Sequence, residues 1–282
     1  MPMAPMIALA DALFAGDAAG LVLLAAVTFV AAAVNSVAGG GTILTFPVLA
    51  AILPPDPGRL VIANATSTIG LWPGALSAAW AYRGERVGQP AFTRWLVAPS
   101  IAGALVGAWL VVVLPPEWFA AVVPWLILVA AVLFALQPQI VGLAARQRGP
   151  GAAGAGAEAT PRQPAACVVQ FLVAVYGGYF GAGIGILMLA MLGLLGLGDI
   201  HRLNAVKNVL GTVVNGVAAL FFACGSFAGS HAVSWPHAAV MAVSACSGGL
   251  VGSLVARRLP ARIVRRAVAL IAFALAGYYF AT

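Results

Sequence analysis

The chain has 282 residues, of which 63% are hydrophobic and only 7% charged, with 14 Lys and Arg against 7 Asp and Glu. Soluble domains carry about 25% charged residues, so a chain with mean hydropathy +1.05 cannot clothe a water-facing surface and is expected to lie in a lipid bilayer. Its net charge of +7 is read as the Lys and Arg of cytoplasmic loops and not as a nucleic-acid surface. No ten-residue segments of alternating polarity, the mark of a membrane barrel, are visible, so the expected fold is an all-α polytopic membrane protein.

The N-terminal tail, residues 1–17, has no basic region before its apolar stretch, so no cleavable signal peptide is expected. Eight hydrophobic segments follow, at 18–53, 59–80, 95–114, 118–136, 166–197, 203–224, 235–256 and 263–281. Residues 137–165, rich in Gly, Ala and Pro with Arg146, Arg148 and Arg162, read as a polar linker on the cytoplasmic side. This places a first repeat at 18–136 and a second at 166–282.

The two parts echo each other. Gly103–Pro115 (GALVGAWLVVVLP) matches Gly248–Pro260 (GGLVGSLVARRLP) at an offset of 145. The run from Arg59 (RLVIANAT) matches that from Arg202 (RLNAVKNV), and VAGGGTIL from Val37 matches FGAGIGIL from Phe180, both at an offset of 143. Three blocks in one order imply an internal duplication, a frequent transporter architecture.

The first and fifth segments span 36 and 32 residues, too long for one ordinary crossing of ~20 residues. Each contains glycines that cost a helix interior about 1 kcal/mol apiece relative to Ala: Gly39, Gly40 and Gly41 in the first, Gly181, Gly183 and Gly185 in the second. If both are broken helix pairs that return to the face they entered, 13 of the 14 basic residues fall on one face and only Arg59 on the other. That count favours halves of five helical pieces each, inverted relative to one another, with the loops 81–94, 137–165, 198–202 and 257–266 cytoplasmic.

Asp11, Asp17, Asp56, Glu85, Glu117, Glu158 and Asp199 all fall in termini, loops or the linker, so the intramembrane carboxylate of a proton relay is missing. His201, His231 and His237 are scattered near segment ends, and Cys167, Cys224 and Cys246 have no paired spacing. No nucleotide loop or metal-ligand spacing is seen, so neither an enzyme, a cofactor nor a metal is expected. The polar groups inside are neutral or cationic: Asn35, Ser36 and Thr42 at the first break, Asn64, Thr66 and Ser67 in the next segment, and Asn204, Lys207, Asn208 and Asn215 in the sixth. Asn204, Asn208, Gly211 and Asn215 are spaced 4, 3 and 4, which lines them along one helix face. Broken helices present unpaired N–H groups and a positive dipole end, which suit an anion.

The runs AGGGTILTFP, ANATST, YRGE from Tyr82 and NAVKNVL from Asn204 resemble the sulfite exporter TauE/SafE family. Asn215, the pair Phe221 and Phe222, the run GGLVGSLVARRLP, Arg265, Arg266 and Tyr278–Phe280 extend the resemblance to the C-terminus. The second glycine block departs from the first, with Ile184 where Gly41 stands. The resemblance implies export of sulfite, sulfoacetate or related organosulfonates across the bacterial inner membrane by a multi-pass secondary transporter. On this reading the residues above form the substrate site, and the partners are a small sulfur anion and the lipid bilayer. An anion channel or importer of the same fold, a non-transporting accessory subunit, and a homodimer stay open at this stage.

Overall fold

The computed structural model of the chain describes residues 17–38, 40–81, 92–146, 163–194, 200–226, 233–255 and 261–281. Among the described residues there are ten helices and no strand: α1 Asp17–Ala38, α2 Thr42–Ile52, α3 Arg59–Ala81, α4 Thr93–Val113, α5 Pro116–Arg146, α6 Gln163–Tyr179, α7 Ile184–Leu194, α8 Ile200–Gly225, α9 Trp235–Val255 and α10 Ala261–Ala281. The first hydrophobic segment comes as α1 and α2 and the fifth as α6 and α7, each pair divided at its glycines. Helix α5 continues to Arg146, into the segment read as linker.

Helix formation here follows from the absence of water. A backbone N–H or C=O left unpaired in hydrocarbon costs several kcal/mol, so an apolar run folds on itself as a helix. Among the described residues, four stretches are long and apolar enough to cross a membrane on those grounds alone: Ala18–Ser36, Thr93–Val113, Pro116–Gln139 and Ala205–Gly225. Thr42–Ile52, Pro164–Tyr179, Ile184–Gly193 and Arg266–Ala281 are shorter apolar helices.

Large apolar side chains such as Val22, Leu172, Val243 and Leu270 are exposed, while much of the interior is alanine. In water this would be costly; against lipid it is the expected distribution, with small residues letting helices approach. Trp80, Trp95, Trp118 and Trp235 are exposed within the first or last turns of their helices, where indoles anchor at the membrane interface.

The helix pairings come in exchanged sets. Helix α4 packs along α6 and α9 along α1; α3 packs along α9 and α8 along α4; α2 rests on α3 and α7 on α8; α5 touches α7 and α10 touches α2. Helices α3 and α8 meet each other, as do α5 and α10. The matched blocks serve these contacts. A Cβ at Gly103 or Gly107 would collide with the α6 carbonyls of Phe171 or Val175, and one at Gly248 or Gly252 with Phe29 or Ala33 of α1. Glycine allows backbone-to-backbone packing there that no other residue permits.

Candidate functional site

The two breaks touch. Gly40 has φ +124° and Gly183 has φ +75°, a region that L-residues with side chains rarely adopt, and a Cβ on Gly40 would lie 3.3 Å from the Gly183 nitrogen. Gly181, with φ +77°, makes the second turn next to Thr42 and Asn215, whose Oγ1 and Oδ1 lie 4.0 and 3.6 Å from where its Cβ would be.

The breaks are finished differently. At the first, Asn35 Oδ1 accepts the Gly40 N–H at 2.8 Å and the Gly41 N–H at 3.5 Å. The α2 amides of Ile43 and Leu44 donate to the carbonyls of Gly40 and Gly41. These N–H groups, expected to face a substrate, are thus already occupied. At the second break Ile184 N donates to Gly181 O and Ile186 N to Gly183 O. The intervening Gly185 N–H makes no hydrogen bond among the described residues. Tyr176 Oη donates to Ala182 O at 2.6 Å and holds this turn closed.

Beside the breaks lies a cavity of about 50 Å³, lined by Asn35 and Ser36 of α1, Ala75, Ala78 and Ala79 of α3, Ile184 and Gly185 of α7, and Lys207, Asn208, Gly211, Thr212 and Asn215 of α8. The helical spacing read from the sequence brings Asn208, Gly211 and Asn215 to it together. Lys207 is 4% exposed and makes no ion pair or hydrogen bond among the described residues. Asp56 and Glu117 are both exposed in or next to loops, and neither lines the cavity.

Ser36 Oγ already donates to Ala33 O at 2.7 Å, and Thr212 Oγ1 to Asn208 O at 2.7 Å. Their hydroxyl protons are spent within their own helices. What remains among the lining residues is the Lys207 ammonium, the amide nitrogen of Asn35, the whole side-chain amides of Asn208 and Asn215, and the Gly185 N–H at the positive end of α7. The set is rich in donors, carries a positive charge and holds no carboxylate among the described lining residues, and charge-assisted donors of this kind suit an oxyanion.

The remaining sequence-predicted residues lie elsewhere. Asn64, fully buried, donates from Nδ2 to Tyr179 O at 2.9 Å, and its Oδ1 has no partner. Thr66 Oγ1 accepts the Ser234 N–H at 2.9 Å, and Ser234 Oγ pairs with His237 Nδ1 at 2.7 Å. Ser67 Oγ meets Thr45 Oγ1 at 2.6 Å. Gly39, the Tyr82–Glu85 run and His231 lie outside the described residues, as do the side chains of His201 and Asn204. Sequence reasoning did not single out Thr212, although it stands one turn from Asn208 on the same face. Nor did it find Ala75, Ala78 and Ala79, whose type carries no signal.

Apolar helices broken around a buried cation with no ion pair among the described residues fit the class of polytopic membrane transporters. The chain is a member of the sulfite exporter TauE/SafE family, whose model matches residues 24–279. It is also similar to a probable membrane transporter protein, ORF9, of Sinorhizobium sp, with 28% identity over 260 residues that cover 91% of this chain and 90% of that one. No solved structure matches it.

Proposed function

We propose that the protein is a secondary exporter of a small sulfur oxyanion across the bacterial inner membrane, working by alternating access between two inverted halves. The observation that carries this reading is Lys207: a buried cation without a carboxylate partner among the described residues, lining a cavity together with the amides of Asn208 and Asn215 and the free Gly185 N–H. An ammonium in the membrane interior is costly unless paired, and an arriving anion supplies the partner.

Size narrows the class. The cavity's volume of about 50 Å³ exceeds the ~10–15 Å³ needed to admit a water by only a few-fold, which suits sulfite or a comparable oxyanion better than a long sulfonate. Sulfoacetate and related organosulfonates would place the sulfonate here and their tails toward Ala75–Ala79. Exporting a monoanion from a negative interior releases about 2.3 kcal/mol per 100 mV, so export requires neither ATP nor a proton relay.

The exchanged helix pairings and the equivalent glycines Gly40 and Gly183 support two related halves. Their lining differs in bulk. Ser36, Ala78 and Ala79 of the cavity correspond, 143 positions on, to Tyr179, Phe221 and Phe222. The Phe221 and Phe222 rings lie 6.2 Å apart, and Tyr179 packs on Phe119 at 5.4 Å. Small residues around one access route and aromatic rings at the counterpart positions suit a state open to one face. The cavity lies by the end of α3 and the start of α8, the helix ends that adjoin in sequence the segments 81–94 and 198–202, which we read as cytoplasmic.

The test is Lys207→Met in inverted or reconstituted vesicles. Hydrogen bonds to charged groups contribute about 1.5–3 kcal/mol, so sulfite transport is expected to fall roughly 10- to 100-fold. The variant should melt no lower than the parent and should lose its thermal shift with sulfite. Transport and shift both at parental levels would exclude Lys207 from the site.

A further inference from the structure

An anion that crosses the membrane has to move on from the cavity, and one buried donor next to the cavity lining is unused. Trp72 lies on α3 one turn before the lining residue Ala75. Its Nε1 sits against Gly216 of α8, 2.7 Å from where a Cβ would be, next to the lining residue Asn215. That Nε1 is buried and has no hydrogen-bond partner among the described residues. An indole N–H normally finds an acceptor when buried, and leaving one unmet is costly. Gly216 is what admits the ring: any side chain there would meet the indole.

Trp72 and Asn215 also stand 143 positions apart, the same offset that relates Asn64 to Lys207 and Gly40 to Gly183. One half places an amide donor at this position and the other an indole donor. Resting on the exporter reading above, we propose that the Trp72 indole N–H is a second binding contact for the oxyanion, used as it leaves Lys207 and Asn215 for the opposite face. The indole suits a handover. It is a neutral single donor, able to hold an oxyanion oxygen without the strong attraction of the ammonium, and it accepts nothing that would repel the anion.

Two substitutions separate this role from packing. Trp72→Phe keeps an aromatic ring and removes the N–H; Trp72→Gln restores an N–H donor and removes the ring. Sulfite efflux from cells and from proteoliposomes, and the sulfite-induced thermal shift in detergent, are measured for both. The expected result is efflux reduced roughly tenfold or more in Trp72→Phe, partial recovery in Trp72→Gln, and a parental melting temperature and thermal shift in Trp72→Phe because capture at Lys207 is intact. Efflux at the parental rate in Trp72→Phe overturns the proposal, whatever Trp72→Gln does. A parent that shows neither efflux nor thermal shift with sulfite strikes at the exporter reading instead, so the two failures are distinguishable.

Discussion

Gly40 and Gly211 are both glycines at or beside the breaks, yet they answer to different demands. At Gly40 a side chain would sit at φ +124° and collide with the Phe134 ring. Gly40→Ala is therefore expected to lose stability by about 1–3 kcal/mol from backbone strain alone, seen as a lower melting temperature and poor yield of folded protein. Gly211 lies in regular helix, and a Cβ there meets nothing within 4 Å. Gly211→Ala should leave the melting temperature unchanged or raise it, since Ala is favoured over Gly by about 1 kcal/mol in a helix. The added methyl enters the cavity, so transport is expected to drop several-fold and more for organosulfonates than for sulfite. Parental transport by a stable Gly211→Ala variant would mean that the anion does not pass this face of α8. Asparagines divide in a similar way. Asn35, a lining residue of the cavity, uses its oxygen to finish a break, whereas Asn64 uses its nitrogen to hold Tyr179 O. A sequence shows that such residues are polar and deep. It does not show which of their atoms already have partners, and this is why Asn64, Thr66 and Ser67 read at first like the lining residues Asn208 and Asn215.

Among the helices, the contacts of α4 with α6 and of α9 with α1 rest on backbone approach at matched glycines. Replacing Gly107 by Val drives a branched side chain into the α6 backbone at Val175 and Tyr179, and Gly252→Val does the same to Ala33 of α1. Overpacking of this kind costs about 1–3 kcal/mol, and each variant should melt below the parent. Gly277→Val, on α10 where a Cβ meets nothing within 4 Å, should melt near it. Equal behaviour of all three would show that the close approaches are not what holds these pairs together. Much at this scale was legible in the sequence. The breaks read at Gly39–Gly41 and at Gly181, Gly183 and Gly185 followed from the cost of glycine inside an apolar run; the described turns hold Gly40, Gly41, Gly181 and Gly183, while Gly185 is already in α7, and the 4, 3, 4 spacing on α8 followed from helical periodicity. The end of α5 did not. Pro138 and the Gly- and Ala-rich context suggested a linker, but Leu143, Ala144 and Ala145 are good helix formers, and the helix runs on to Arg146. The alanines of α3 and the position of Trp72 against Gly216 depend on contacts between distant segments, which no local pattern encodes.

For the molecule as a whole, the decisive question is whether the halves oppose each other across the membrane and exchange access. Ser36 and Tyr179 stand 143 positions apart, one lining the cavity and the other packed on Phe119 with its carbonyl held by Asn64. In inverted halves these positions belong to opposite access routes; in parallel halves they belong to the same one. The protein has three free cysteines, Cys167, Cys224 and Cys246, so the background for a labelling experiment replaces each with Ser. In that background Ser36→Cys is expected to react with a membrane-impermeant maleimide added from the cytoplasmic side, and sulfite should slow the reaction. Tyr179→Cys should react only from the opposite side, and faster when sulfite drives the transport cycle, because the aromatic cluster must part for the anion to leave. Labelling of both positions from one face would establish parallel halves. Labelling of Tyr179→Cys at a rate indifferent to sulfite would remove alternating access, leaving a fixed pore or a protein that binds without transporting. The charge distribution argues for the inverted outcome: with inverted halves, the arginines of the loops all share one face except Arg59, and that face is where an exporter needs to gather anions.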